Sequence, residues 1–485
     1  MVSTNQPFQG VKYDVSKGSH GRAIVVEDLT GWGVKYVRIQ WVDLTNNIRF
    51  RVLPLAYFHK ILQTPRPGTS LTKAVLGIVF ITVVDGFSPT GEYVYAVDLS
   101  TLRLCPYAPG HASVMGWFEE KEPVAGVEGH RSVEVDLCPR TILRRVVEKA
   151  EQRCNTQFLI GFETEFILLK KTSPIEAGNS HGWCVASALP TGSAEAQILE
   201  EIVDALQARG SDVEVQMYHA EAAPGQYEVV TGPLPPLQAV DALIHTRETI
   251  FNIASKHGMR ATLAPRVFMD NCGSAAHVHI SVHPSSGASP AHLPLSTNSV
   301  LTPLESSFLS GVLAHLSSIA LLALPTEPSY KRMADGVWSG GTYVCWGRDN
   351  REAPLRLCNA SSPTSRNFEL KTLDGTANPY LAIAAVLGAG LDGIEHGREL
   401  KIKECSGEKS AALLGSAGRA ELGITERLPL SWKEARVNFE KSELVDEFFG
   451  AEFKTKFLAA NKTLQEQMSF GLMDDEELKL FVETF

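Results

Sequence analysis

The chain has 485 residues, with 45 lysines and arginines against 55 aspartates and glutamates and a formal net charge of −10. That length exceeds what one hydrophobic core fills, so at least two domains are expected, and 44% apolar with 21% charged residues is the balance of a folded chain rather than a disordered one. The acidic balance, without an Arg/Lys-rich stripe, argues against a nucleic-acid binder, and eight cysteines with no Cys-x-x-Cys pair argue against a disulfide framework or a zinc site.

Scattered thiols favour a reducing compartment, and Met1 to Pro7 has neither the basic start nor the apolar run of a signal peptide, so a cytoplasmic protein is expected. Residues 1–25 are polar with scattered glycines and read as a surface arm. Val34 to Val42 alternates and is rich in β-branched and aromatic residues, then Asp43-Leu-Thr-Asn-Asn47 reads as a turn before Ile48 to Leu53, which predicts a β-hairpin. Gly77 to Val84 and Tyr93 to Leu99 are further strand candidates, and the Pro/Gly-punctuated stretch from Pro106 to Gly129 reads as a connection. The organisation expected is an arm over 1–25, a small domain over 26–125 and a large catalytic domain over 126–485.

In the larger part, Ile142, Leu143, Val146, Val147 and Ala150 lie on one helical face within Arg140 to Gln152. Ser193 to Arg209 repeats the pattern with a serine at its start and Gly210 just past its end, and Pro235 to His257 does so again before Gly258. Phe308 to Leu324 is apolar enough to resemble a membrane span, but it carries His315 and several serines and stops at Pro325, so a buried core helix is the better reading. From Leu430 onward the charged, periodic text predicts helices. Strands alternating with these helices point to an α+β or α/β body.

The organising stretch is Gly161-Phe-Glu-Thr-Glu-Phe-Ile-Leu-Leu169. In a strand, side chains at i and i+2 share a face, so Glu163 and Glu165 project together. An isolated Glu-x-Glu is most often a solvated pair, whereas a divalent ion makes adjacent carboxylates favourable. Other segments bring matching groups. Pro224-Gly225 turns the chain between Glu221 and Glu228, and alternation aligns His277, His279 and Ser281 in one strand and Asn367, Glu369 and Lys371 in another. Lys331, Arg332, Arg348, Arg351 and Arg356 form a basic series suited to carboxylates and phosphates.

In this order the segments resemble the glutamine synthetase family. The matching pieces are Glu163-x-Glu165, Glu221-Ala-Ala-Pro-Gly-Gln-Tyr-Glu228, Gly273-Ser-x-x-His-x-His-x-Ser281, Ser329-Tyr-Lys-Arg332, Trp346-Gly-x-x-Asn-Arg351, Asp374-Gly-Thr-Ala-Asn-Pro-Tyr-Leu-Ala382 and, near the N-terminus, Trp41-Val-Asp-Leu-Thr45. The resemblance implies an α+β fold: a small N-terminal β-grasp domain and a large C-terminal catalytic domain with a curved antiparallel sheet flanked by helices. It implies homo-oligomeric rings, a dodecamer favoured over a decamer by length, with active sites between subunits.

By the same resemblance Glu165, Glu221 and Glu228 match the ligands of one Mg²⁺ or Mn²⁺ ion, and Glu163, His277 and Glu369 those of a second. His279 and Ser281 match residues that hold ATP, Arg351 and Arg356 residues on its phosphates, and Arg332 a contact to the substrate carboxylate. Asp43 matches an aspartate that a neighbouring subunit contributes to the ammonium site. The implied reaction phosphorylates a carboxylate with ATP and transfers the acyl group to an amine, a ligation of glutamate with ammonia or an organic amine.

The chain departs from glutamine synthetase proper in the loop between Arg332 and Trp346. Where the family carries a glutamate that takes the ammonium proton, Trp338 or Ser339 stands, and the nearest acid is Asp335. Cys272 replaces an asparagine, Lys371 replaces an arginine, and Asn367 stands at another usual arginine. An aromatic and two glycines in the amine-entry loop suit an alkyl or aryl amine, so a γ-glutamylamide synthetase is the leading expectation. Ordinary glutamine synthetase and a ring-forming protein without turnover remain alternatives; a phosphagen kinase would leave Asp43 and the Ala-Asn-Pro-Tyr block without a role.

Overall fold

Two four-stranded sheets built from the first third of the chain face each other across Val37, Ile39, Trp41, Tyr95 and Phe118. The computed structural model describes residues 11–13, 24–125, 131–180, 185–285, 300–468 and 475–485. Most of the arm expected over 1–25 therefore lies outside the described residues. The expected hairpin forms from Tyr36–Val42 and Ile48–Pro54, paired from Tyr36↔Pro54 to Val42↔Ile48. Inward side chains of the first strand pack on aromatic rings, with Trp41 5.7 Å from Tyr95 and Tyr95 4.7 Å from Phe118 between centroids, a geometry worth roughly 0.5–1.5 kcal/mol per pair beyond area burial.

Two expectations here need correction. The supposed connection over 106–129 contains the strands His111–Val114 and Gly116–Ala125. The first pairs in parallel with Tyr36–Val42, and the second pairs with Glu92–Val97. The run Glu119-Glu-Lys-Glu122 hid the second strand, because its charges are carried as ion pairs such as Lys73–Glu120 at 2.6 Å rather than as a loop's solvated groups. Conversely, Gly77 to Val84 is only a short turn of helix, Lys73–Gly77, and a two-residue hairpin, Ile78–Val79 with Thr82–Val83.

The larger part is organised on a nine-stranded sheet, whose main path runs 215–220, 226–234, 156–172, 278–284, 367–370, 355–358, 346–348. All its pairings are antiparallel except the last, and Ile175–Ala177 and Arg260–Thr262 pair with the end of the long strand Thr156–Thr172. Helices Pro139–Cys154, Pro303–Ala323 and Pro379–Glu395 pack beside it. The expected start of the helix Ala194–Gln207 is set as read: the Ser193 hydroxyl accepts from the Ala196 N–H.

Pro303–Ala323 is the core helix expected from its serines and His315. It crosses Pro379–Glu395 so closely that a Cβ on Gly311 would sit 2.2 Å from the Ala389 carbonyl oxygen, and one on Gly393 2.1 Å from that of Ser307. Glycine at both positions is what permits this contact. The tip of the N-terminal hairpin is anchored on the same helix system: Asn378 donates to the Asp43 carbonyl at 2.7 Å and Asn46 to the Gly375 carbonyl at 2.8 Å.

Candidate active site

The register of the central strands decides which charges meet. Thr156–Thr172 and Gln226–Leu234 pair so that Glu165 stands opposite Glu228, while Val215–Ala220 places His219 opposite Glu228 from the other side. On the far flank His279 pairs with Glu369, which in turn pairs with Arg356. Six strands thus carry alternating side chains onto one face of the sheet.

On that face Glu163 accepts from His277 Nδ1 at 2.8 Å and from His279 Nε2 at 2.9 Å. His277 Nδ1 is also 3.5 Å from Glu369 and 3.9 Å from Glu165. Ligand atoms of Glu163, His277 and Glu369 all lie within 4.8 Å of one another, as do those of Glu165, Glu228 and His277 and those of His219, Glu221 and Glu228. Among the described residues Glu165, Glu221 and Glu228 form no such group by themselves. Glu228 is instead shared between a group centred on His277 and one centred on His219.

Burial and neighbouring charge divide these groups. Burial raises the Glu163 carboxyl, but hydrogen bonds from His277 and His279 outweigh it and hold the group well below the usual carboxylate range. Glu165 is pushed well above it by burial and by the charges of Glu228 and Glu221, and burial lifts Glu228 to about 7. Burial and the Lys371 charge lower His277 to about 4, so its ring is neutral. The hydrogen bond to Glu228 lifts His219 to about 9.

Cations stand on the far flank of the same face. Glu369 is 1% exposed and takes Arg356 Nε at 2.5 Å and Lys371 Nζ at 2.9 Å. Arg332 is buried near Glu165 and spends Nη2 on the carbonyls of Lys371 and Leu373 at 3.1 and 3.4 Å. Arg351 stands on the rim, its guanidinium 5.7 Å from the Trp338 ring centre, and its charge reaches Glu221. The loop folds over this flank, with a Cβ on Gly340 placed 3.0 Å from Lys371 Cβ.

Three expected residues are engaged elsewhere. His279 is held at both nitrogens, by Glu163 and by Asn367 Oδ1 at 2.8 Å, and the Ser281 hydroxyl meets His283 Nε2 at 2.7 Å. Asp43 is fully buried in the hairpin turn. Its carboxylate takes Arg49 at 2.6 Å, the N–H groups of Thr45 and Asn47, and the Thr45 hydroxyl, with no cluster residue among its partners. Sequence reasoning missed His219 and Gln226; the latter donates to Glu165 at 2.9 Å and contacts Ser274 at 3.1 Å. The signal for His219 was present, two residues before Glu221 in an alternating strand.

A sheet that turns this many buried carboxylates toward one another, beside guanidinium groups, offers donor sets of the kind that hard cations take. The model of the glutamine synthetase catalytic domain matches residues 136–478. The chain belongs to the glutamine synthetase family. Protein fluG of Emericella nidulans is 33% identical over 451 residues, covering 90% of this chain and 47% of that protein, so the chain spans about half the length of this relative. Gamma-glutamylpolyamine synthetase GlnA3 of Streptomyces coelicolor is 30% identical over 462 residues, 93% of each chain. A solved GmaS/ADP complex has the same fold, with a TM-score of 0.77 at 21% identity over 94% of this chain and 98% of that one.

Proposed function

We propose that this chain is an ATP-dependent carboxylate–amine ligase that joins glutamate to an organic amine through an acyl phosphate. The observation that carries the reading is the convergence of Glu163, His277 and Glu369 beside Glu165, Glu221 and Glu228, within reach of Arg356 and Lys371. These residues fit divalent cations on two grounds. Neutral His277 turns Nδ1 toward Glu163, Glu369 and Glu165 at 2.8, 3.5 and 3.9 Å, and a cation among these carboxylates would take the Nδ1 lone pair in the tautomer that carries its proton on Nε2. Glu165, Glu221 and Glu228 are all raised by burial and by neighbouring carboxylates, a destabilisation that a bound cation removes.

Glu165, Glu221 and Glu228 would hold one ion and Glu163, His277 and Glu369 another; oxygen-rich sets with one imidazole suit Mg²⁺ or Mn²⁺ rather than zinc. Bound there, such ions neutralise charge on a transferring phosphoryl group. The chain's own groups do the rest. Arg351 and Arg356 bind the ATP phosphates and Arg332 takes the α-carboxylate of glutamate, while His279, held by Glu163 and Asn367, positions Glu163. The γ-carboxylate oxygen attacks the terminal phosphorus and ADP leaves. Amine nitrogen then attacks the acyl carbon, phosphate departs and the nitrogen loses a proton, for which Asp43 of a neighbouring subunit is the acceptor once it leaves its buried place in the hairpin turn.

The loop supports an organic amine. Asp335 is the one acid between Arg332 and Trp346, and it is spent on the Thr342 N–H at 3.1 Å, the Thr342 hydroxyl at 2.7 Å and Arg427 at 3.0 Å. Trp338, 55% exposed, offers an apolar wall instead. A gamma-glutamylpolyamine synthetase among the relatives is consistent with that choice. The test is phosphate release from ATP, Mg²⁺ and glutamate with ammonium, polyamines, ethanolamine and alkylamines, with Glu369→Ala as the blank. Stimulation by an organic amine above ammonium is expected; stimulation by ammonium alone overturns the reading.

A further inference from the structure

Outside the site, Cys345 and Cys405 share a small buried cluster with Ala353, Ala411 and Ile424. Both are 1% exposed, and the two thiols perturb each other inside this cluster, the Cys345 thiol being raised by its interaction with Cys405 and by burial. The segment carrying Cys405 runs along the outer edge of Trp346–Arg348: the Cys405 N–H donates to the Trp346 carbonyl at 2.8 Å, the Trp346 indole donates to the Ile402 carbonyl at 2.8 Å, and Asn350 donates to the Cys405 carbonyl at 2.5 Å. These bonds set the Cys405 segment directly beside Trp346, the residue that follows Cys345.

We propose that Cys345 and Cys405 form an oxidation site, a dithiol that peroxide closes to a disulfide, stapling the 402–406 segment to the strand that leads into Arg351. A cavity of about 490 Å³ lies nearby, lined by Val344, next to Cys345, and by Lys401 and Ile402 on the Cys405 segment, with neither thiol on its wall. The interaction with Cys345 lowers the Cys405 thiol, which makes Cys405 the attacking sulfur. Its sulfur attacks one peroxide oxygen, the O–O bond breaks, and the departing hydroxide takes a proton to become water. Cys345 sulfur then attacks the resulting sulfenic acid, the S–O bond breaks, and a second water leaves. Two thiols lose one electron each and peroxide is reduced to two waters.

The staple would fix the edge on which Gly347 already packs, where a Cβ would lie 2.2 Å from the Cys405 carbonyl oxygen. The experiment treats the full-length native protein with hydrogen peroxide, quenches it, and counts thiols after denaturation. The count is expected to fall by two from eight, to recover with dithiothreitol, and to coincide with a cross-linked peptide containing Cys345 and Cys405. Cys405→Ser should abolish the loss and Cys154→Ser should not. An unchanged count in the wild-type protein, or a disulfide joining other cysteines, overturns the proposal without reliance on any variant folding.

Discussion

Glu369 shows how tightly a single side chain is bound into this site. One nearly inaccessible carboxylate is shared by Arg356 and Lys371 and lies 3.5 Å from His277. Removing one partner of such a group strands the others in a poorly solvated place, at a cost of about 3–5 kcal/mol. Glu369→Ala is therefore expected to lower the thermal midpoint as well as to reduce phosphate release by on the order of 10²–10³. Glu369→Gln preserves shape and should keep more of the stability while losing comparable turnover. A melting curve for Glu369→Ala that overlays the wild type would show that the carboxylate does not balance these cations.

A second residue, His245, sets a pH dependence of stability. It is fully buried, with Nε2 2.7 Å from the Ser211 hydroxyl, and burial together with the Arg103 charge lowers it to about 3 from 6.5. The folded state thus refuses a proton that the unfolded chain accepts. Its contribution is fully present above pH 6.5 and is lost as pH falls toward 3. Between about pH 7.5 and about pH 5.5 this one group should remove roughly 1.4 kcal/mol. Urea denaturation of the wild type and His245→Gln at the two pH values checks it: the difference should shrink in the variant by that amount.

At this scale, alternation alone made much of the site legible. Glu163 with Glu165, His277 with His279, and Glu369 with Lys371 share faces as period-two reasoning requires. What alternation cannot give is register, because the pairing of Glu165 with Glu228 joins positions distant in the chain through contacts that neither strand encodes alone. The capture of Asp335 by Arg427 was hidden for the same reason.

Among the elements, the loop from Met333 to Cys345 is where the proposed preference for an organic amine is tested. Its glycines at 336, 340 and 341 take positive φ of 78°, 97° and 64°, so the backbone turns where side-chain-bearing residues would be strained. That path sets the exposed Trp338 ring beside Arg351. Trp338→Gly removes the apolar wall while leaving Asp335 tied to Thr342. Hydrophobic pocket contacts of this size are worth about 10- to 200-fold in selectivity, so the ratio of kcat/KM for the best organic amine over ammonium should fall by at least about tenfold. An unchanged ratio would place the specificity elsewhere. Elements were legible in the sequence where one period ran unbroken, as in Pro139–Cys154; Gly116–Ala125 was not, because its exposed charged positions are paired with neighbours and read as loop.

For the molecule as a whole, the surface argues that a lone chain is incomplete. Ile81 is 97% exposed at the tip of the small hairpin, and Phe50, at 49%, and Val52, at 39%, lie on the edge strand Ile48–Pro54. Exposed apolar groups on an unpaired edge are a hazard unless another chain covers them. Asp43 fits the same picture, since it lies in that hairpin's turn and meets none of its own chain's cluster residues. If the site is completed across a ring interface, two inactive subunits carry complementary defects. Asp43→Asn spoils the site of a neighbour, and Glu369→Ala spoils its own. Random mixing of equal amounts, by denaturing and refolding them together, should restore about a quarter of wild-type turnover, because about one interface in four then pairs two intact halves. Subunits refolded separately and then combined without exchange should stay inactive. No recovery in the co-refolded sample, with assembly confirmed by sedimentation, would return Asp43 to a purely structural role in the hairpin turn.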